Sequence, residues 1–144
     1  MARVSTTGAR TAVLLREAIT RVNRRLRQTR PVADLTIAQI SALQSLYNAG
    51  ALTPRELSDV ERVQPPTMTR IVARLEERAL VQRTPHPSDG RQVILAPSLP
   101  GRRLLEDYLR ARDEWLAQRL SRLAPEDRET LRRAADLLNR IARD

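Results

Sequence analysis

Apolar residues at Leu15, Ile19, Val22 and Leu26 recur every three or four positions, with Arg16, Arg21, Arg24 and Arg25 in the gaps. That is the spacing of an amphipathic helix. It is predicted to run from the Ser5-Thr6-Thr7 region to just before Pro31, whose ring disfavours helix in the residue ahead of it. A second helix opens at Thr36, where Gln39 completes a capping box, and closes at Gly50, with Ile37, Ile40, Leu43 and Tyr47 as its expected buried face. A third starts at Thr53 with Pro54 in the first helical position and Glu56 completing another capping box; it is short, with Leu57 and Val60 turned inward. The Glu61-Arg62-Val63-Gln64 connection leads to Pro65-Pro66 and a fourth helix. There Met68, Ile71, Val72 and Leu75 share one face, Pro66, Arg70, Ala73, Arg74 and Glu77 the other, and Thr67 and Thr69 the flanks.

The periodicity then changes. Extended runs at 81 to 84 and 91 to 96 flank Pro85-His86-Pro87-Ser88-Asp89-Gly90, a hairpin whose loop is too long for a tight turn and carries Arg91 at its exit. After Pro100-Gly101 a long helix aligns Leu105, Tyr108, Leu109, Leu116 and Leu120 and ends near Ala124. Pro125, Glu126 and Asp127 open the last helix, with Leu131, Ala134, Leu138 and Ile141 as its apolar stripe. The fold class expected is mainly α with a small β-hairpin.

Composition narrows the function. A chain of 144 residues has room for one domain with a real core, read as 1–144. No run approaches the roughly 20 apolar residues of a membrane span, and no apolar stretch precedes a small-residue cleavage site, so a cytoplasmic protein is expected, with a transit peptide as the minor alternative for the Arg-rich start. Cysteine is absent, which excludes disulfides, thiolate metal sites and thiol redox sensing. With His86 the one histidine and no acidic cluster at ligand spacing, neither metal nor cofactor is expected. There is no Gly-rich phosphate loop, no nucleophile beside a base and no persuasive carboxylate pair, so an enzyme is not expected. All 26 basic residues are Arg, the net charge is +9, and residues 1 to 30 alone hold eight Arg against one Glu. Such a surplus suits a polyanion, although exposed arginines also serve as plain solvated helix faces.

Two helices joined by a tight connection, the second presenting short polar side chains and Arg at its N-terminal end, are the ingredients of a helix-turn-helix whose second helix enters the major groove of double-stranded DNA. Thr67 and Thr69 suit phosphates or base edges, Arg70 suits guanine or a phosphate, and Gln64 suits adenine. Each alone also reads as helix surface. His86, in its Pro-flanked loop, either contacts phosphate or faces solvent.

Residues 36 to 101 resemble the MarR family of bacterial transcriptional regulators. The likeness rests on Pro65-Pro66-Thr67-Met68-Thr69-Arg70, on Leu75-Glu76-Glu77-Arg78 leading into Leu80-Val81, and on Arg83 followed by Pro87, Asp89, Gly90 and Arg91. In the family's wing pattern an Asp stands two before an Arg, followed by alternating apolar residues and a Thr three before a Gly; Asp89, Arg91, Leu95, Ser98 and Gly101 occupy the corresponding places. The resemblance implies a winged helix-turn-helix lobe over 32–100 with dimerisation helices at 5–30 and 101–144. It implies a homodimer on a pseudo-palindromic operator, usually as a repressor of its own or a neighbouring operon on the nucleoid. It places Pro66, Thr67, Thr69 and Arg70 at the DNA, Arg74 on a phosphate and Arg91 in the adjacent minor groove, with Asp89 holding Arg91 or a nearby Arg to shape the wing. Ala79 and Pro97 depart from the family, which usually has Gly and an apolar strand residue there; the first bears on the helix end, the second on the strand's length.

Many members release DNA when a small, often aromatic acid binds, and Arg16, Tyr47, Tyr108 and Trp115 are the candidates for such an effector pocket, each also explicable as core or interface. The competing reading is a non-specific architectural DNA-binding protein.

Overall fold

The computed structural model describes residues 6–29 and 35–143. Its element order is α1 (Thr6–Thr29), α2 (Ile37–Ala49), α3 (Pro54–Glu61), α4 (Pro65–Glu77), β1 (Val81–Pro85), β2 (Val93–Pro97), α5 (Leu99–Leu120) and α6 (Pro125–Arg143). The expected class, mainly helical with one hairpin, is what is found. Ser5 and Pro31, expected to bracket the first helix, lie outside the described residues.

Both capping boxes form. Thr36 Oγ1 accepts the Gln39 N–H at 3.2 Å while the Gln39 side chain accepts the Thr36 N–H at 3.0 Å, and Thr53 and Glu56 repeat the exchange at 3.2 and 2.8 Å. These reciprocal bonds satisfy amide donors that a helix start leaves open, which is why both boundaries fall where the sequence signals them. At the other end of α2, Gly50 at φ +85° returns its N–H to the Leu46 carbonyl.

The chain divides into two compact units, Val32–Leu109 and the pair of segments Met1–Pro31 and Arg110–Asp144. In the first, Ala42, Leu43, Leu46, Leu57, Met68, Ile71, Val72, Leu75, Leu80, Val81, Leu95, Leu105 and Tyr108 form one buried core. Two inward faces differ from expectation. On α2 the buried residues are Ala42, Leu43 and Leu46, while Ile37 is 60% exposed, because the helix is apolar on more than one side and its spacing admits two faces. On α3, Ser58 is buried beside Leu57 and Val60 is 59% exposed. The face centred between Leu57 and Ser58 leaves Val60 outside it. A small hydroxyl at a buried position reads as an outward residue in a polarity pattern, and that misplaced the face.

The hairpin is antiparallel, with Val81 opposite Pro97 and Pro85 opposite Val93. Leu52 adds a bridge to its second strand, exchanging bonds of 3.0 and 2.7 Å with Leu95. The second strand starts at Val93, not at Arg91, because Arg91 and Gln92 belong to the loop: the Gln92 N–H bonds the Asp89 carbonyl at 3.0 Å. Pro97 is accommodated as the buried last residue of β2, where a proline's missing N–H interrupts no ladder.

α5 begins at Leu99, so Pro100 and Gly101 sit inside its first turn instead of preceding it, and it stops at Leu120, with the N–H groups of Arg122 and Leu123 making tighter i−3 bonds before Pro125.

α4 ends in a Schellman motif: the Leu80 N–H bonds the Leu75 carbonyl and the Ala79 N–H the Glu76 carbonyl, both at 2.9 Å. The motif needs a left-handed residue, and Ala79 adopts φ +55°. An alanine Cβ is strained there and its side chain is exposed, so Ala79→Gly should stabilise the protein by about 0.5–1 kcal/mol net of glycine's greater chain entropy. Denaturant unfolding checks the sign; a loss of stability would mean that the helix does not end this way.

In the second unit α1 and α6 bury no residue, and Leu15, Ile19 and Val22 on one, with Leu131 and Ile141 on the other, are exposed apolar side chains.

Candidate nucleic-acid interface

α4 is oriented by its greasy face. Met68, Ile71, Val72 and Leu75 are all buried, each worth roughly 1.5–3 kcal/mol of transfer, whereas a surface ion pair such as Arg74–Glu77 at 3.1 Å contributes at most about 1 kcal/mol. Packing therefore decides which side of the helix faces outward. Arg62 turns the chain between α3 and α4 at φ +53°, and the Val63 N–H bonds back to the Ser58 carbonyl at 3.0 Å. Pro65 and Pro66 then occupy first-turn positions where the missing N–H costs nothing. Gln64 is the N-cap residue, but its side chain does not cap the helix. No acid lies in this first turn, so the positive end of the helix dipole is uncompensated.

The outward set is Gln64, Pro66, Thr67, Thr69, Arg70 and Arg74, all exposed. Their hydrogen-bonding states differ. The Thr69 hydroxyl donates to the Pro65 carbonyl at 3.0 Å, one turn back along its own helix. Phosphate oxygens only accept, so Thr69 must break that bond to reach one. Arg74 is paired with Glu77, an exposed bond that an incoming phosphate can replace. Arg70 has no ion pair or side-chain hydrogen bond among the described residues.

The wing is tied to α4 by Arg83, whose Nε and Nη2 both donate to Glu76 Oε1, at 3.3 and 2.7 Å. Sequence reasoning assigned this pair no role, since neither spacing nor composition brings residues seven apart on a helix and a strand together. At the tip, Asp89 Oδ1 accepts the backbone N–H of Arg91 at 3.1 Å and Oδ2 accepts from the Gln92 side chain at 3.4 Å. The carboxylate, expected to hold Arg91 or a nearby Arg, thus shapes the loop through the main chain, and the Arg91 guanidinium has no ion pair among the described residues. Ser88 and Asp89 turn their N–H groups onto the His86 ring. All nine residues expected at DNA lie in the Val32–Leu109 unit, six on α4 or its cap and three on the wing.

An open groove, which the sequence does not announce, runs between α3, α4 and the base of β1, with Arg55, Arg62 and Arg83 among its lining residues beside Gln64 and Thr69. A further buried-edge contact was equally illegible: Ser41 Oγ donates to Glu61 Oε2 at 2.7 Å and Ser45 Oγ to Oε1, fastening the end of α3 to α2.

The four effector candidates divide between the two units, two in each. Tyr47 donates to Glu106 Oε1 at 3.0 Å, which holds its phenol above the usual tyrosine range, and Arg102 lies 6.0 Å from its ring centroid. Tyr108 is buried in the core. In the other unit Arg119 stacks 3.9 Å over Trp115, and Arg16 lies 3.9 Å from Glu17. Among the described residues no group of His, Cys, Asp or Glu is arranged to hold a metal ion, and no helix is long and apolar enough to cross a membrane.

Comparison with known proteins agrees with this geometry. The MarR family profile matches residues 35–93, which span the helix-turn-helix and the wing loop. The chain is 47% identical over 130 residues to a protein of Mycobacterium bovis named as an uncharacterized HTH-type transcriptional regulator, covering 90% of this chain and 91% of that one. It is 32% identical over 93 residues to the HTH-type transcriptional repressor MdtR of Bacillus subtilis, covering 65% of this chain and 60% of that one. Its fold is similar to that of a MarR family protein from Bacillus stearothermophilus, with a TM-score of 0.85 at 28% identity over 99% of this chain and all of the other. The helix-turn-helix with its basic, outward-facing second helix, the wing and these relatives lead to one conclusion: the chain belongs to the MarR family and is a DNA-binding transcriptional regulator, not an enzyme.

Proposed function

We propose that the protein is a sequence-specific repressor that binds a pseudo-palindromic operator as a homodimer, with α4 in the major groove and the wing over the adjacent minor groove. The observation that carries this is the exposure of two guanidinium groups with no ion pair among the described residues, Arg70 on the outer face of α4 and Arg91 on the wing, in a chain of net charge +9. The carboxylates near α4 and the wing are engaged elsewhere, Glu76 with Arg83, Glu77 with Arg74 and Asp89 with the loop, so both guanidinium groups are open to a phosphate or a base edge. Repression is favoured by likeness to a relative named as a repressor.

The homodimer is supported by the apolar stripes of α1 and α6, which a single chain leaves exposed. Stripes of that kind need a partner surface, and a two-fold axis would present two α4 helices to half-sites about one helical turn apart. Effector release is no part of this proposal.

Hydroxyl-radical footprinting on the upstream DNA, with light scattering of the free protein, tests it. Two protected half-sites about ten base pairs apart and a dimer mass are expected; a monomer at micromolar concentration with a single half-site footprint would refute it. Arg91→Ala should weaken operator binding about fivefold and lower the slope of log affinity against log salt by about one, since one guanidinium charge is lost from the negative potential of the minor groove. Titrations at three salt concentrations read both quantities.

A further inference from the structure

The wing loop between β1 and β2 holds Arg91 without strand pairing of its own. Its shape comes from side chains. His86 Nδ1 lies 3.2 Å from the Ser88 N–H nitrogen, 3.3 Å from that of Asp89 and 3.2 Å from Ser88 Oγ. Backbone N–H groups can only donate, so the ring nitrogen they converge on is an acceptor and carries no proton. Three donors share one lone pair, which accounts for lengths at the long end of the hydrogen-bond range. A neutral ring with an unprotonated Nδ1 has its proton on Nε2.

We infer that His86 is a positioning residue of the wing, acting as the uncharged Nε2–H tautomer whose Nδ1 organises the loop that carries Arg91, and not as a cationic contact to phosphate. The bond pattern is that of an Asx turn, in which a side-chain oxygen accepts the N–H two residues on. Nδ1 stands one bond from Cγ, as the Asn oxygen does, and so takes its place geometrically. Asp89 repeats the device one step along by accepting the Arg91 N–H at 3.1 Å. The two turns are chained, because Asp89 donates to the first and accepts in the second. Bonds of 3.0 Å from the His86 N–H to the Gln92 carbonyl and from the Gln92 N–H to the Asp89 carbonyl close the loop behind them. Pro87 favours an extended His86 backbone, which helps aim the ring along the loop.

The role of the wing at DNA rests on the proposed function, but the tautomer and the turn can be read without DNA. Nitrogen NMR of the full-length protein at mildly alkaline pH should show His86 with Nε2 protonated and Nδ1 bare; the opposite tautomer would overturn the inference. Amide exchange at Ser88 and Asp89 should be protected in the wild type and in His86→Asn, which keeps an acceptor at the same place, and lost in His86→Ala and in His86→Gln, whose amide lies one bond further out. With operator DNA, His86→Asn should bind within about twofold of wild type and His86→Ala about three- to tenfold more weakly. If His86→Lys instead matches or exceeds wild type while His86→Asn falls to the level of His86→Ala, the residue is a cationic contact and the inference fails. Should Arg91→Ala bind like wild type while the tautomer and the protection are as expected, the reading of the wing as a DNA element fails and the assignment of the turn stands.

Discussion

Gly101→Ala should cost the fold about 3 kcal/mol, lowering the melting temperature on the order of 10 °C, because the added methyl has nowhere to go. An ideal Cβ at Gly101 would lie 2.0 Å from the Leu80 carbonyl oxygen and 2.9 Å from its carbon. The obstacle is backbone, not the flexible end of a side chain, so relief requires the start of α5 to move away from the end of α4. That movement breaks a joint made of several bonds. Ser98 donates its N–H to the same Leu80 carbonyl at 3.0 Å, its hydroxyl donates to the Ala79 carbonyl, and its Oγ accepts the Gly101 N–H at 3.1 Å. Gly90→Ala is the internal control: a Cβ there meets nothing within 4 Å, and its melting temperature should stay within a degree or two of wild type. Thermal unfolding followed by circular dichroism compares the two. A Gly101→Ala variant as stable as Gly90→Ala would mean that α5 is not seated on that carbonyl.

Arg70→Ala carries the second large effect, on recognition instead of stability. The side chain is exposed on the outer face of α4 and has no intramolecular bond among the described residues, so its removal should leave the melting temperature unchanged. Operator affinity should fall about ten- to a hundredfold, the equivalent of one bidentate base contact, and discrimination against shuffled DNA should shrink by the same factor. Competition titrations with both DNAs separate the outcomes. Equal weakening on both would make Arg70 a phosphate contact; no change on either would remove it from the interface.

The elements legible in the sequence are those whose signals are local. Both capping boxes, the Pro65-Pro66 start and the four buried residues of α4 follow from residues three or four apart, and that periodicity alone presents Arg70 and Arg74 outward. The departures arise where a particular bond or packing partner overrides the local pattern. Ser58 is buried where α3 packs against α2 and α4, so Val60 surfaces. Arg91 and Gln92 leave the second strand because the Asp89 carboxylate and carbonyl draw their N–H groups into the loop. The clamp between Glu76 and Arg83 and the grip of Ser41 and Ser45 on Glu61 bring together residues whose meeting only the tertiary fold determines. Ala79 is instructive in another way. The sequence marks it as out of place, and the structure gives the physical reason in a left-handed backbone that glycine would adopt without strain.

Fluorescence anisotropy of the purified protein on DNA from upstream of its own gene, against shuffled DNA at two salt concentrations, decides whether α4 and the wing read sequence. Binding to the native fragment at least about a thousandfold tighter than to the shuffled one is expected, with the preference surviving at the higher salt. Equal affinity for both fragments, collapsing together as salt rises, would contradict the account and describe a protein held to DNA by charge alone.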